Sequence, residues 1–323
     1  MATVRPRPHD LVVGFLLTWA LTAQDPAVVV PRDDARLEQI IVERCAAALA
    51  KGELVRAERL AGQLGGAGKL AAASTPLRQQ RLDGPELHDL VAASVRIVGH
   101  YYRCKECEHW HFSGASGFCV DADGHVASCA HVVAPDATMA EAYLVVADLA
   151  GNVWPARAVV ASDVAADVCV LATGAKGTVP LPLRDLVRVG ERCWCLSNPD
   201  HQFGFFSEGV VARCYLAPPE PAIPAPPATG AAAGTAGVGP AAQSTLAPLP
   251  WLHVTCDFAK GSSGGPIVDA MGNLIGVAQS TTTVVYDEAA ELVDTQMVFK
   301  TASPAKALQA LLPPAAAAAP AQR

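Results

Sequence analysis

Residues 261–276 read GSSGGPIVDAMGNLIG. A serine stands among glycines, a proline closes the turn, and the apolar pair Ile267-Val268 follows at once. A serine hydroxyl is a weak nucleophile. It needs a base within reach, and donors for the oxyanion that forms when it attacks a carbonyl. A tight glycine turn can aim backbone N–H groups and the serine oxygen at one point. Gly261 and Ser263 have the positions to supply those N–H groups. Gly264 and Gly265 let the chain pass close to a substrate and re-enter a strand. A Gly/Ser turn alone is usually only a turn; the strand directly behind this one makes it more specific. Asp269–Asn273 (DAMGN) then reads as a hairpin turn into a second strand, Leu274–Ser280.

Working outward, short β-branched and apolar runs recur from Ser94 onward, bounded by turn residues. They are Ser94–Gly99, Gly117–Val120, Val126–Ala130, Tyr143–Leu149, Val153–Val160, Val168–Ala172, Arg192–Ser197, Phe205–Tyr215, Leu252–Cys256, Pro266–Asp269, Leu274–Ser280 and Gln296–Phe299. Asp121–Gly124 (DADG) is another hairpin turn. So many short strands with few helices predict an all-β protein of barrels or a sandwich. Two features supply candidate partners for the serine. Val126–Val133 (VASCAHVV) ends an apolar strand on His131, a position suited to a base that is fixed yet reachable. Ala161–Leu171 (ASDVAADVCVL) puts Asp163 and Asp167 before a buried strand, where a carboxylate can hold the imidazole and stabilise its charged form. Each has a plainer reading: a lone histidine there is more often structural, and either aspartate can simply cap a turn.

The three motifs together resemble the chymotrypsin-fold serine proteases, whose chain order is also His, Asp, Ser. Within them the HtrA/Deg branch is the most similar. Gly117–Val133 resembles its strand–turn–strand leading to the histidine, SDVAADVCVL its acidic turn, and VGERCWCLSNPDHQFGFFSEGVV the opening of its second barrel. The resemblance covers Glu86–Leu312 and selects the second aspartate, Asp167. It implies two six-stranded antiparallel β-barrels with the site between them. The roles it implies are His131 as base, Asp167 as its orienting acid, Ser263 as nucleophile, and the N–H groups of Gly261 and Ser263 as oxyanion hole. Asp257 lies six residues before Ser263, the spacing of the acid at the base of a trypsin-like specificity pocket. Its plainer reading is a hydrogen bond within its own loop. Two departures follow. Ser262 replaces the aspartate that pairs with a freed N-terminus in digestive-type proteases, so activation by that salt bridge is not expected. No PDZ domain is expected after Leu312.

Around the protease segment of residues 85–312, the chain divides further. Leu11–Ala23 is an uncharged, largely apolar run behind Arg5 and Arg7. It is too short to span a bilayer comfortably and reads as an export signal over residues 1–23, cut after Ala23. Residues 24–75 hold a helical hairpin and a Gly/Ala linker, with Leu37, Ile40, Ile41, Cys45, Ala48 and Leu49 on one face and Leu54, Ala57, Ala61 and Leu64 on the other helix. A Pro/Ala/Gly segment, residues 217–250, interrupts the strands and reads as a disordered surface insertion, with an Ala/Pro tail at 313–323. A short helix, Pro304–Leu312, closes the domain.

These segments account for much of the 61 alanines among 323 residues, so the apolar share of 51% overstates the core. A net charge of −7 argues against a partner held by nucleic-acid phosphates. Ten cysteines fit an oxidising compartment, periplasmic or secreted. Cys104, Cys107, His109 and His111 are four potential zinc ligands within eight residues, for which a Cys104–Cys107 disulfide, a metal site and free thiols all stay open.

The leading expectation is an exported serine endopeptidase acting on proteins or peptides through an acyl-enzyme, with no cofactor and no metal in its site. The extended substrate is expected along Leu274–Ser280, and activity is expected to rise with pH as His131 loses its proton, at about 6.5 for an ordinary imidazole. The alternatives are a protease-like scaffold without turnover and a zinc-stabilised binding protein using the CxxCxHxH segment. Natural substrate, side-chain preference at the cut, activation and oligomeric state are not legible in the sequence.

Overall fold

A computed structural model describes residues 31–66, 68, 70, 75–216, 249–287 and 292–312. The segment expected to be an export signal, nearly all of the expected insertion and the tail lie outside the described residues. The chain divides into Met1–Asp33 and Asp34–Arg323, and among the described residues every helix and strand belongs to the second unit. Among the described residues, no helix is long and apolar enough to cross a membrane.

Two antiparallel sheets make up most of that unit. The first contains β1 (Val95–Cys104), β2 (Trp110–Cys119), β3 (His125–Ser128), β4 (Met139–Ala147), β5 (Val153–Pro155), β6 (Ala158–Asp163) and β7 (Val168–Ala172), in the order β5-β4-β1-β2-β3-β7-β6. The second contains β8 (Arg192–Ser197), β9 (Phe205–Leu216), β10 (Pro250–Val254), β11 (Pro266–Val268), β12 (Leu274–Asp287) and β13 (Leu292–Pro304), and closes as a six-stranded barrel, β10-β13-β12-β11-β8-β9. The fold is thus mostly β with few helices, as expected, and consists of one closed six-stranded barrel and one half-barrel sheet. Within the half-barrel, Val153–Val160, expected as one strand, is divided in two. The chain breaks at Ala156-Arg157, so β5 pairs with β4 and β6 pairs with β7. Ala156 N donates to Leu144 O at 3.1 Å and Arg157 N donates to Ala172 O at 2.8 Å, one toward each end of the sheet. Two adjacent residues therefore join the sheet's ends through the chain instead of through a ladder.

Both hairpin turns are built by the same device. Asp121 Oδ1 accepts the N–H groups of Asp123 and His125 at 2.9 and 3.1 Å. Asp269 Oδ1 accepts those of Met271 and Asn273 at 2.8 and 2.9 Å. The aspartate side chain supplies acceptors that the turn's own carbonyls cannot reach. Across the Pro/Ala-rich segment, β9 and β10 pair directly, with Pro250 opposite Leu216.

The largest apolar cluster joins the sheets: Phe118, Val126, Leu144 and Leu171 from the first meet Leu196, Val268 and Leu274 from the second. The helix α1 (Asp34–Ala50) buries Leu37, Ile41 and Cys45 against Ile97, Tyr101, Phe112 and Tyr143. Burial pushes the Cys45 thiol up to about 12, so it behaves as an apolar group. The second expected helix shrinks to α2 (Ala57–Ala61). A third, α3 (Gly84–Ser94), was not expected. It starts on a reciprocal cap, with Asp83 Oδ1 accepting Glu86 N at 2.9 Å and Glu86 Oε2 accepting Asp83 N at 3.2 Å. The closing helix α4 (Ala305–Leu311) packs Ala305, Ala307, Leu308 and Leu311 into the shared core.

Candidate active site

His131 lies in a single helical turn just after β3, and Asp167 ends the turn between β6 and β7. Asp167 holds the histidine's turn at three points. Its carbonyl accepts Ala130 N at 3.3 Å, its Oδ1 accepts His131 N at 2.9 Å, and its Oδ2 lies 2.7 Å from His131 Nδ1. Those contacts need the backbone at φ +53, a left-handed conformation that aspartate tolerates better than most residues. The Asp167 side chain is 13% exposed, while the His131 side chain is 51% exposed. With Nδ1 engaged, the imidazole presents Nε2 outward. Asp163 does a different job: its Oδ1 accepts Ala166 N at 3.0 Å and shapes the turn.

Ser263 faces the same opening. A cavity of about 270 Å³ is lined by His131 and Ser263 together with Phe258, Lys260, Gln279 and Thr281. The Ser263 hydroxyl donates to Gln279 O at 3.1 Å. Gln279 is the extra residue of a bulge, because β12 pairs Ala278 with Ala302 and then Ser280 with Thr301. The bulge turns its carbonyl toward the serine. Gly261 and Gly264 adopt φ +92 and +87. A Cβ on Gly264 would lie 2.1 Å from Ser116 O and 2.3 Å from Ser128 Oγ, so only glycine fits beside Ser263. Among the described residues, the N–H groups of Gly261 and Ser263 have no acceptor within the chain.

Sequence reasoning missed the supports of this turn. Ser116 N donates to Ser263 O and Ser116 Oγ donates to Gly261 O, both at 2.9 Å, which ties β2 of one sheet to the turn of the other. Ser262, fully buried, accepts Ser197 Oγ at 2.9 Å and Ala259 N at 3.2 Å. A buried neutral hydroxyl thus fills the place where a carboxylate would need a cation. Nothing in the local composition marks Ser116, Ser197 or Gln279; each matters through a contact across the fold.

Asp257 stands apart from this cavity. Its side chain is 80% exposed, lies 3.8 Å from Lys300 Nζ, and does not line the cavity. The chain turns inward at the neighbours, burying Cys256 and Phe258 and leaving Asp257 outward. The expected substrate edge also narrows. Gly276 and Val277 are flanked by β11 as well as β13 and Leu274 by β11, so the part of β12 that lines the cavity is Gln279–Thr281.

Cys129 Sγ lies within 4.8 Å of the ligand atoms of His131 and Asp167. Burial, with the Asp167 charge nearby, holds its thiol well above the ordinary range, and it donates to Ala278 O at 3.2 Å. It is a packed thiol donor beside the site. All ten cysteines are free in the structure. Of the four candidate zinc ligands, Cys104, Cys107 and His111 converge, and His109 does not join them.

A family model described as a trypsin-like peptidase domain matches residues 115–277. No curated protein matches the chain. Among solved structures, the HtrA-type protease AlgW with tripeptide aligns at 21% identity and a TM-score of 0.47, covering 71% of this chain and 62% of that one. AlgW with decapeptide aligns at 18% identity and a TM-score of 0.48, covering 71% and 66%. The chain thus spans less than two thirds of the length of either structure.

Proposed function

The chain belongs to the trypsin-like peptidase family, and we propose that it is an exported serine endopeptidase using Ser263, His131 and Asp167. The observation that carries the reading is the 2.7 Å His131–Asp167 contact at the wall of a cavity that Ser263 also lines. For the reaction the Ser263 hydroxyl has to leave Gln279 O and hydrogen-bond His131 Nε2. Apo hydrogen bonds of this kind commonly tighten only with substrate bound.

In the proposed cycle, Ser263 Oγ attacks the peptide carbonyl carbon as His131 Nε2 takes its proton. Asp167 stays ionised, keeps the imidazole oriented and stabilises the imidazolium. The N–H groups of Gly261 and Ser263 receive the oxyanion, each such donor being worth on the order of 10²–10³ in rate. Collapse breaks the C–N bond, His131 protonates the leaving amine, and an ester remains on Ser263. Water, deprotonated by His131, then hydrolyses that ester and restores the serine. The substrate runs along Gln279–Thr281 as an added strand, in line with the peptide ligands of the AlgW structures.

A fluorophosphonate probe tests the site. The reading expects covalent labelling of the folded chain, lost together with peptide cleavage in Ser263→Ala. A folded chain that stays unlabelled supports the scaffold reading. Export is tested by sequencing the N-terminus of the exported protein, expected to begin at Gln24.

A further inference from the structure

The tip of the β1–β2 hairpin lies apart from the peptidase cavity and shares no residue with it. There the Sγ atoms of Cys104 and Cys107 and a ring nitrogen of His111 all lie within 4.8 Å of one another. Cys107 Sγ is 3.0 Å from His111 Nε2. We propose that Cys104, Cys107 and His111 bind a zinc ion, with water in the fourth position.

Bond lengths of about 2.3 Å to sulfur and about 2.0 Å to nitrogen put the ligands of a tetrahedral zinc roughly 3.5–3.8 Å apart. The three atoms lie within 4.8 Å of one another, with the Cys107–His111 pair at 3.0 Å, so an ion entering between them has to spread that pair by about half an ångström. The backbone is arranged for it. Cys104 ends β1, and the turn is closed by Cys104 N donating to His109 O at 2.9 Å. Lys105 anchors the turn to the loop before β4, through N to Thr138 O at 3.0 Å and Nζ to Ala137 O at 2.6 Å. Glu108 takes a left-handed φ of +59, which reverses the chain after the second cysteine. Register then sets His111 opposite Tyr102, whose ring lies 5.6 Å from the imidazole. Ligands held this way cost little further ordering when the ion enters. Glu106 N also donates to Cys104 Sγ at 3.4 Å, an outer-shell contact of the kind that orients a thiolate ligand.

The donor set selects the metal. Two sulfurs and an imidazole suit zinc and disfavour magnesium and calcium, which take oxygen ligands. Three ligands fall short of the four that an iron–sulfur cluster requires. On binding, each thiol gives up one proton to solvent, so two thiolates, a neutral imidazole and Zn²⁺ form a complex with no net charge. A Cys104–Cys107 disulfide would remove both sulfur ligands and is the direct competitor.

The test uses the full chain without a histidine tag, purified in reductant, loaded with zinc sulfate and dialysed free of excess. Metal analysis is expected to find one zinc per chain. Cys107→Ser and His111→Ala are expected to lose it, while His131→Ala and the exposed-thiol control Cys214→Ser keep it. Cobalt substitution of the unaltered chain adds a readout that needs no variant: thiolate-to-cobalt charge-transfer absorption in the near ultraviolet. The proposal is overturned if the unaltered chain holds no more zinc than Cys107→Ser, if cobalt gives no charge-transfer band, or if peptide mapping finds Cys104 joined to Cys107 in the zinc-loaded chain.

Discussion

Replacing Gly264 by alanine adds one methyl group at the tightest point of the Ser263 turn. Two costs arise. An L-residue held at φ +87 pays about 1–2 kcal/mol in backbone strain. The new Cβ also meets Ser116 O at 2.1 Å and Ser128 Oγ at 2.3 Å, far inside van der Waals contact. Ser116 O is backbone within β2, and Ser128 Oγ is committed to it by a 2.7 Å hydrogen bond, so neither can step aside alone. Overpacking of this kind adds about 1–3 kcal/mol. The sum is about 2–5 kcal/mol, and at roughly 2–4 °C per kcal/mol the melting temperature should fall by about 4–20 °C. Because Ser263 is the adjacent residue, fluorophosphonate labelling should slow by at least about 10²-fold, the scale for misplacing a reacting group by 1 Å. Gly190→Ala is the control, with φ +85 and nothing within 4 Å of the added Cβ. It carries the strain without the clash and should lose only about 2–8 °C. If the two variants melt together and label at equal rates, the steric argument for Gly264 is wrong.

Arg184 donates to Glu191 Oε2 and Asp269 Oδ2, both at 2.8 Å, and Asp269 is fully buried. Arg184→Met leaves that carboxylate without its cation, though Asp269 keeps its bonds from Met271 and Asn273. A loss near the low end of the usual 3–5 kcal/mol is expected, read as a melting drop of about 6–12 °C; a shift below about 2 °C would count against the ion pair. Burial lowers the His100 imidazole from its ordinary value, with its Nε2 3.3 Å from Val133 O and the Glu58 and Asp136 charges opposing the shift. A lowered folded value means that the unfolded chain binds the proton first. Stability is therefore complete above about pH 6.5 and declines as pH falls toward the folded value. His100→Gln should flatten the decline of the urea midpoint on the acid side; identical slopes for the two proteins would exclude His100 as its source. Asp257→Ala should leave the substrate side-chain preference unchanged in peptide-library profiling, since the carboxylate faces solvent beside Lys300. A lost preference for Lys or Arg would return Asp257 to the pocket.

How far the sequence could be read depended on whether information was local. The hairpin turns were legible because Asp121 and Asp269 act on backbone a few residues away. The Gly261–Gly265 turn was legible because its glycines answer to backbone geometry within the motif. The break at Ala156-Arg157 was not, since both halves are apolar and only their partners, β4 and β7, distinguish them. Helix α3 carried a signal that went unused: Asp83, Pro85 and Glu86 form a helix start ahead of Leu87 and Val91. The setting of Asp257 was not legible, because spacing to Ser263 fixes distance along the chain, while exposure depends on which neighbours the barrel buries. Gln279 was hidden because a bulge becomes visible only when two strands are counted against each other.

The junction at Ala156-Arg157 also defines a mechanical weak point. In a closed barrel, hoop tension is shared by a whole ladder of hydrogen bonds. In the first sheet the Ala156–Arg157 peptide bond stands in for that ladder, its two residues bonding to β4 and β7, and the segment from Arg56 to Gly65 bridges β4 and β6 beside it. A nick there is expected to free the inner ends of β5 and β6, while that bridging segment and the shared apolar core still hold the sheet curled.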